Sequence, residues 1–254
     1  MKQLQSLVVA MAMYSKIPMP RIDWNDDNMR FALCYFPVAG LACGLILSLW
    51  GYLAFQLPLG AFFKAVVFVL IPIFVTGGIH MDGYMDTVDA LSSWGDREKK
   101  LAILKDSHSG AFAILFCGVY LFAATAIWSE MISFTQVLVL AVGFAYTRAM
   151  SGFGIARFKS ARKNGMVASF NSMADSVKAG RALFIEAVVF AALMIFINVP
   201  MGVAAVVTGF AVFAYGRHMA YKTFGGTTGD IQGFTLQVAE LLMALAVMII
   251  GKVL

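Results

Sequence analysis

Long apolar stretches separated by short polar segments dominate the pattern along this chain. A transmembrane helix needs about 20 mostly apolar residues to cross a hydrocarbon core about 30 Å thick. Most of the stretches approach that length, and the two on either side of Pro200 are shorter. The apolar stretches cover residues 36–57, 62–79, 110–128, 134–153, 183–199, 201–215 and 234–253. The pattern therefore predicts an all-α polytopic transmembrane helical bundle of about seven spans, in a single integral membrane domain over residues 1–254.

The chain begins with a shorter apolar run, residues 7–13, which follows Lys2. This run is too short for a span. The residues after it, Tyr14, Ser15 and Lys16, do not form the small-residue cleavage site of a secretory signal peptide. We therefore expect a retained, amphipathic N-terminal helix over about residues 1–16, lying in the membrane interface.

The composition agrees with a membrane protein, because 61% of the residues are hydrophobic and only 13% are charged, against about 25% charged in soluble domains. The excess apolar surface must face the lipid bilayer. The net charge of +5 does not indicate nucleic acid as a partner, since the basic residues form no continuous groove. The three cysteines lack CxxC spacing and paired histidines, so neither disulfides nor a zinc site is indicated.

The placement of the basic residues sets the orientation. With seven spans, only Lys64 and Lys252 of the 19 Lys and Arg residues fall on one side of the membrane. The positive-inside rule makes the other side the cytoplasm. We therefore expect a multi-pass protein of a prokaryotic cytoplasmic (inner) membrane, with a cytoplasmic N-terminus. Residues 80–109, 154–182 and 216–233 are then cytoplasmic loops, and we expect the active site at this face.

The main candidate site is the segment that follows the second apolar stretch. We expect it to continue the helix of that span, which puts Asp82, Asp86 and Asp89, spaced i, i+4 and i+7, on one helical face. Such close like charges repel each other, and carboxylate oxygens suit Mg²⁺, which bridges to substrate phosphates. Gly77 and Gly78, just before, would let a bulky group approach the backbone. The alternative is a solvated acidic helix end without a ligand.

Two other polar segments lie on the same predicted face. In the segment before the third span, Asp106 would be another metal ligand, with Ser107 and Gly110 shaping a helix start; an N-cap without further role is the alternative. Residues 225–230 are rich in Gly and Thr and precede the last span. Backbone N–H groups and hydroxyls in such a segment suit phosphate oxygens. The segment lacks the lysine spacing of a P-loop, and a flexible turn is the alternative.

Charged residues inside the apolar stretches are the remaining candidates, because an unpaired charge in the membrane is costly. They are Arg148, Glu186 and Glu240. We expect Arg148 to bind phosphate, with Arg162 from the nearby basic cluster as a second candidate. Anchoring by the positive-inside rule also explains most of that cluster. For Glu240, a role in helix packing is the alternative.

Taken together, these motifs resemble the cobalamin synthase (adenosylcobinamide-GDP ribazoletransferase) family over most of the chain. The matching residues are Pro18-x-Pro20, Phe36-Pro37-x-x-Gly40, Gly77-Gly78-x-His80-x-Asp82-Gly83-x-x-Asp86-x-x-Asp89, Lys105-Asp106-Ser107-x-x-Gly110, Arg148, Ala161-Arg162-x-x-Gly165, Gly225-Gly226-x-Thr228-Gly229-Asp230 and Glu240. The runs 77–89 and 225–230 are the most specific. The chain departs from the family pattern at His108, where Arg is common, and at Gln237, where an acidic residue is common.

The resemblance implies a Mg²⁺-dependent reaction in cobalamin biosynthesis. GDP-activated cobinamide (adenosylcobinamide-GDP) would join α-ribazole, or its 5′-phosphate, with release of GMP. The oligomeric state stays open, with a homo-oligomer as one option.

The resemblance also implies roles for the matching residues. His80, Asp82 and Asp86 would be catalytic. The general base would be His80, because an unperturbed imidazole titrates near neutrality, or alternatively an Asp of the cluster. Mg²⁺ would be held by Asp82, Asp86, Asp89, Asp106 and Asp230. Substrate phosphates would be bound by Arg148, Arg162, Gly225, Gly226, Thr228 and Gly229. Supporting roles would fall to Gly77, Gly78, Gly83, Lys105, Ser107 and Glu240.

Two other functions fit parts of the pattern. A UbiA-like prenyltransferase also binds a Mg²⁺-diphosphate through Asp-rich motifs, but its two motifs are separated and both acidic, whereas residues 225–230 are rich in Gly and Thr. A secondary transporter would use the intramembrane charges, but such proteins show internal repeats and broken helices near the midplane. A non-catalytic scaffold would leave the one-sided Asp, His and Gly clusters without a purpose.

Overall fold

The computed structural model describes residues 2–29, 31–106, 108–172 and 175–254. Within these ranges the chain is helical, with no β-strand and a single isolated parallel bridge between Ser160 and Thr227. The helices are α1 (Lys2–Tyr14), α2 (Asp26–Met29), α3 (Phe36–Gln56), α4 (Ala61–Thr76), α5 (Ile79–Ser92), α6 (Arg97–Ile103), α7 (Ala111–Ser129), α8 (Phe134–Arg157), α9 (Met166–Ser172), α10 (Ser176–Ile197), α11 (Val199–Met219) and α12 (Gly229–Val253).

Six of these helices are long and apolar enough to cross a membrane: α3, α7, α8, α10, α11 and α12. Helices α4 and α5 are long and apolar enough to cross a membrane only when they are taken together, and the chain bends by 96° between them. The predicted all-α polytopic bundle of about seven spans is confirmed, with α4 as the apolar part of the seventh. We place α5, which carries three aspartates, outside the membrane-crossing segments.

The break between α4 and α5 corrects one prediction. We expected residues 77–89 to continue the second span, but Gly77 and Gly78 have φ of +67° and +79°. Two successive left-handed residues end a helix, and glycine adopts this conformation without strain. The N–H of Gly78 donates to the carbonyl of Ile73 at 2.9 Å, which closes the end of α4. The aspartates therefore lie on a separate helix that turns away from the span.

The segments predicted as cytoplasmic loops are mostly helical in the structure, and their position in the cytoplasm stays a prediction. Residues 216–233 contain the end of α11, a π-helical turn at Ala220–Phe224 and the start of α12, so only residues 225–228 connect them. Residues 80–109 hold most of α5 and all of α6, and residues 154–182 hold α9 and parts of α8 and α10. Polar side chains in these segments had suggested loops, but they lie on helices that cover one end of the bundle.

The N-terminal segment forms α1, which packs against the bundle. Val9, Ala10 and Tyr14 are buried. Beyond the helix, the N–H of Lys16 donates to the carbonyl of Val75 at 2.7 Å. This bond ties the segment after α1 to the end of α4. Its position in the membrane interface stays a prediction.

Helix α8 lies at the centre of the bundle and is buried along most of its length. It packs closely against α3 through two glycines of α3, Gly40 and Gly44. A methyl group on either would overlap the α8 backbone at Phe144 or Ala141. Small residues four apart allow such close approach of membrane helices. The arrangement places α8 and α12 beneath the end of the bundle that carries α5 and residues 225–228, here called the acidic end.

Candidate active site

A cavity of about 130 Å³ lies at the acidic end, where α5, α8 and α12 meet. Its polar lining includes His80 and Asp82 from α5, Ser151 from α8, and Asp230 and Gln232 from α12. Residues from three helices that are distant in sequence therefore converge on one small space. Both of the most specific runs recognised in the sequence, 77–89 and 225–230, contribute to it.

Glycines bring α5 and α12 together at this point. A methyl group on Gly83 would lie 2.9 Å from the carbonyl oxygen of Asp230, and one on Gly233 would lie 3.3 Å from that of His80. The crossing is tighter than side chains at these positions would allow. It is further packed by Tyr84, whose ring stacks on that of Phe234 with centroids 5.6 Å apart. The glycine at position 83, predicted only as a supporting residue, is thus what lets the two acidic segments meet.

The aspartates form a cluster with excess negative charge. Burial, reinforced by the charges of Asp82, Asp230 and Asp89, raises the pKa of Asp86 to about 6, and Arg162 partly opposes this shift. The cluster therefore holds a carboxylate that is difficult to ionise without a cation. Within the described part of the chain, no three His, Cys, Asp or Glu side chains converge closely enough to hold a metal ion by themselves.

This open arrangement fits Mg²⁺ better than a closed protein cage. Magnesium dehydrates reluctantly and is usually bound through one or two carboxylates, waters and substrate phosphates. Asp82 is exposed, and Asp86, Asp89 and Asp230 are half-buried, so their oxygens can be shared with a ligand. The carboxylate of Asp89 also lies against Gly110, where a side chain would overlap it. Gly110 thus brings the start of α7 to the cluster.

Asp106 is placed differently from the other predicted metal ligands. Its carboxylate accepts a hydrogen bond from the backbone N–H of His108 at 3.0 Å and contacts the imidazole Nδ1 at 2.8 Å. These hydrogen bonds lower the pKa of Asp106, and its side chain is largely exposed. Asp106 is not among the charges that act on Asp86. Lys105 is exposed, and Ser107 lies outside the described residues.

His80 is buried beside the cluster. Its ring packs against Phe36 with centroids 5.5 Å apart, and within the described residues its Nε2 has no hydrogen-bond partner. Burial first, and then the charge of Arg148, lower the pKa of His80 well below its usual value. The imidazole is therefore neutral at physiological pH, which leaves one ring nitrogen able to accept a proton.

The connection 225–228 is held firmly, contrary to the alternative of a flexible turn. The N–H of Thr227 donates to the carbonyl of Lys159 at 2.8 Å, and that of Ala161 donates to the carbonyl of Thr227 at 2.9 Å. Gly225 has φ of +71°, and a side chain on Gly226 would lie 2.5 Å from the Lys159 carbonyl oxygen. Both glycines are thus required by the backbone path.

The threonine and the last residues of this motif start α12. Thr228 is its N-cap: the hydroxyl oxygen accepts from the N–H of Ile231 at 3.3 Å, and the hydroxyl lies 3.2 Å from the carboxylate of Asp230. The Thr228 hydroxyl is therefore already hydrogen-bonded within the protein, so its predicted contact with a substrate phosphate would compete with these bonds. The first N–H groups of a helix have no intrahelical acceptor, so those of Gly229 and Asp230 are what this motif offers to an anion. Both residues line the cavity.

The bridge at Thr227 also positions Arg162. Its Nη1 lies 3.7 Å from the carboxylate of Asp230, and its Nη2 donates to the carbonyl of Leu101 at 3.3 Å. The Nε is buried without a partner in the described part of the chain. The structure thus brings Arg162 to the acidic cluster, and its role in phosphate binding stays a prediction.

Arg148 lies elsewhere, although we predicted that it binds substrate phosphate. Its side chain is 1% exposed and forms an ion pair with Glu240 at 2.5 Å, while its Nη1 also donates to the carbonyl of Phe144 at 2.8 Å. Thr147 donates a hydrogen bond to Glu240 at 2.9 Å. Arg148 does not line the site cavity. The buried pair joins α8 to α12, which agrees with the alternative of helix packing for Glu240.

Sequence reasoning missed, among other residues of the cavity, two polar ones on the long helices. Ser151 on α8 and Gln232 on α12 are both buried. The Nε2 of Gln232 donates to the hydroxyl of Thr227 at 2.9 Å, and its Oε1 has no partner within the described residues. Polar residues in long apolar helices were the available signal, because such residues face a partner or a cavity rather than lipid.

Comparison with known proteins agrees with the motifs. A family model described as cobalamin-5-phosphate synthase matches residues 6–248. An adenosylcobinamide-GDP ribazoletransferase of Lachnoclostridium phytofermentans is 40% identical over 249 residues, which cover 98% of this chain and 95% of the relative. The enzyme of the same name from Geobacillus thermodenitrificans is 30% identical over 248 residues, covering 93% and 92%. No solved structure matches the chain. The chain belongs to the cobalamin-5-phosphate synthase family.

Proposed function

We propose that the chain is an adenosylcobinamide-GDP ribazoletransferase of cobalamin biosynthesis, which joins GDP-activated cobinamide to α-ribazole or its 5′-phosphate and releases GMP. Family membership and the names of the relatives support this activity. The structural observation that carries it is the cavity where a neutral His80, the Asp82 and Asp230 carboxylates and the start of α12 meet. A UbiA-like prenyltransferase and a transporter are not favoured by the family match.

The chemistry assigns simple tasks to the residues of the cavity. A ribose hydroxyl of the acceptor attacks the phosphorus attached to cobinamide, forming a new P–O bond. The bond from that phosphorus to the bridging oxygen breaks, and the bridging oxygen leaves with GMP. His80 accepts the hydroxyl proton at Nε2, which is otherwise unpartnered within the described residues. Arg162, beside Asp230, neutralises charge on the phosphate oxygens.

We propose Mg²⁺ as the cofactor, held by Asp82, Asp86, Asp89 and Asp230. The raised pKa of Asp86 supports this, because, besides burial, the charges of three other aspartates act on it and the charge of Arg162 opposes them only in part. When bound, the ion would neutralise diphosphate charge and stabilise the leaving GMP. Asp106 would join this set only after leaving His108, so we do not include it.

We further propose that the acidic end faces the cytoplasm of a prokaryotic cell, with the chain in its cytoplasmic membrane. The one-sided distribution of Lys and Arg supports this orientation. Nucleotide substrates are made in the cytoplasm, so a site at this end meets them directly.

The test is turnover by purified protein in liposomes, given adenosylcobinamide-GDP and α-ribazole with or without Mg²⁺. We expect cobamide and GMP to form together, only with the metal, and Asp82→Ala to lower kcat by at least about 100-fold. Glu98→Ala, which removes an exposed carboxylate of α6, is the matched control and should keep full activity. Folded protein that releases no GMP under any of these conditions would rule out the proposed function.

The base assignment needs its own comparison. We expect His80→Ala to lower kcat by about 10²–10⁴-fold, whereas His108→Ala, at an exposed imidazole, should have little effect. Near-normal turnover by His80→Ala would show that another group, such as an aspartate of the cluster, accepts the proton.

A further inference from the structure

A groove of about 400 Å³ lies between α8 and α10 at the acidic end of the bundle. Among the described residues, none lines both this groove and the site cavity. From α8, the groove is lined by Phe153 and Arg157. The cavity is lined by Ser151 and Ile155 of the same helix. Residues two apart are separated by about 200° around a helix, so the groove lies on the other side of α8 from the proposed active site.

Two arginines supply the charge of this groove, one from each helix. Arg157 is in the last turn of α8, and its aliphatic stem lies across Gly180 of α10. A methyl group on Gly180 would be 2.5 Å from Cδ and 2.7 Å from Cγ of Arg157. Arg181 comes directly after this glycine and lines the same groove. Both arginine side chains are exposed, and Gly180 makes the room that brings them to one space.

Neither arginine has an acidic partner. Across the ranges that the structure describes, no ion pair joins Arg157 or Arg181 to another residue, and the groove lining contains no carboxylate. The nearby Lys178 differs, because its ammonium group lies 3.0 Å from the carboxylate of Asp175. The groove therefore carries two positive charges that the described part of the protein does not balance.

The walls of the groove are apolar and face outward. Val177, Phe184 and Ile185 of α10 line it and are exposed. Helix α10 is the least buried of the six candidate spans, so its exposed apolar side chains contact lipid in a bilayer. Phe184 and Ile185 follow Arg181 by one helical turn, toward the middle of the span, and Val188 continues the exposed apolar surface. A molecule that fills the groove must therefore combine an anionic group at the arginines with a hydrocarbon chain along α10.

We propose that this groove is a binding site for an anionic phospholipid. The lipid phosphate accepts hydrogen bonds from the guanidinium groups of Arg157 and Arg181, whose planar geometry suits phosphate oxygens, and an acyl chain lies against Phe184 and Ile185. Basic pockets between membrane helices bind headgroups of this kind. A zwitterionic phospholipid also carries a cation, which the two arginines repel, so the groove selects for net negative charge. Anchoring by the positive-inside rule alone requires no groove in which arginines of two helices meet.

The test is thermal unfolding of the purified protein in dodecyl maltoside, with added phosphatidylglycerol or phosphatidylcholine. We expect phosphatidylglycerol to raise the unfolding temperature of the parent protein by about 3–6 °C and phosphatidylcholine to have little effect. The double variant Arg157→Gln with Arg181→Gln should lose most of this shift. The matched control is Lys159→Gln with Lys163→Gln, which removes the same charge from two exposed residues outside the groove and should keep the shift.

A binding measurement covers the case in which the double variant is itself unstable. Native mass spectrometry of the single variant Arg181→Gln, at an exposed side chain, should show retention of phosphatidylglycerol that is weaker by about 5- to 10-fold. Unchanged retention would overturn the inference, and so would an equal loss in the lysine control, which would indicate general surface charge. An equal shift of the unfolding temperature with inorganic phosphate would also overturn it, because the groove would then bind a soluble anion. These measurements need no turnover, so their outcome is independent of the proposed function.

Discussion

The bundle contains two arginine–carboxylate pairs whose surroundings differ. In the interior, Arg148 and Glu240 are 2.5 Å apart and 1% and 8% exposed. At the acidic end, Arg162 and Asp230 are 3.7 Å apart and 18% and 30% exposed. The first pair is closed by hydrogen bonds from its own helices. The second faces three further aspartates, whose charges it cannot balance.

This difference distinguishes charged residues that stabilise the fold, such as Arg148 and Glu240, from charged residues that are available to a ligand, such as Arg162 and Asp230. A membrane interior tolerates an ionised side chain only when the protein supplies its partner, and in the Arg148–Glu240 pair each charge has its opposite within the protein. The acidic end has carboxylates in excess and a histidine nitrogen without a partner in the described residues. Unbalanced groups of this kind are stabilised when a ligand supplies the missing charge, and perturbed groups gather at functional sites for that reason.

The largest expected effect is on stability, when the Arg148–Glu240 pair in the interior is broken. Arg148→Met would leave Glu240 buried and unpaired, which costs about 3–5 kcal/mol. We expect a large fall in the thermal unfolding temperature in detergent, with little folded protein recovered. The double variant Arg148→Met with Glu240→Gln should recover much of this stability, because no buried charge remains.

Arg162→Met is the matched variant at the acidic end. We expect it to change stability by no more than about 1 kcal/mol, because the two groups are 3.7 Å apart and partly open to solvent, and to lower turnover. If Arg148→Met stayed as stable as the parent and lost only turnover, the assignment of Arg148 to helix packing would be wrong.

The sequence predicted the spans because the bilayer imposes their length and apolarity. It also predicted that Asp82, Asp86 and Asp89 lie on one face of a helix, and all three belong to α5. It did not predict the turn after Thr76, because two glycines in a helical pattern do not reveal the sign of their φ angles. Glycine commonly ends a helix, and this was the available signal. We had instead explained the pair Gly77 and Gly78 as making room for a bulky group near the backbone.

The partners of charged residues could not be predicted either. Arg148 and Glu240 belong to helices distant in sequence, and only their packing shows that each neutralises the other. Similarly, Asp230 meets Asp82 because Gly83 admits the start of α12. The polar segments 80–109, 154–182 and 216–233 could not be recognised as helical from their polarity alone. Helices that cover the end of a bundle expose polar faces, as loops do.

An intermediate effect is expected where the acidic segments cross. Gly83→Ala would bring a methyl group to 2.9 Å from the Asp230 carbonyl oxygen, so α5 must shift from α12 at a cost of about 1–3 kcal/mol. We expect a lower unfolding temperature together with reduced kcat, since His80 and Asp82 move with α5. Gly118→Ala is the control: it is also helical and has no atom within 4 Å of the new methyl group. It should be neutral or stabilising. Equal behaviour of the two variants would show that the crossing is not tight.

The smallest expected effect concerns the repulsion within the acidic cluster. The pKa of Asp86 is raised to about 6 from 3.8, so the folded state binds its proton more tightly than the unfolded state. The stability from this group is present below about pH 4 and is lost as the pH rises through 6.

Asp86→Asn removes the charge and should therefore raise the unfolding temperature of metal-free protein at pH 7.5 by about 1–3 °C, and the gain should vanish near pH 4. The same variant should lose turnover at every pH, because it lacks a proposed metal ligand. An acidic cluster kept for binding is expected to show this opposition of stability and activity. A variant destabilised at pH 7.5 would instead mean that Asp86 already has a compensating partner within the protein.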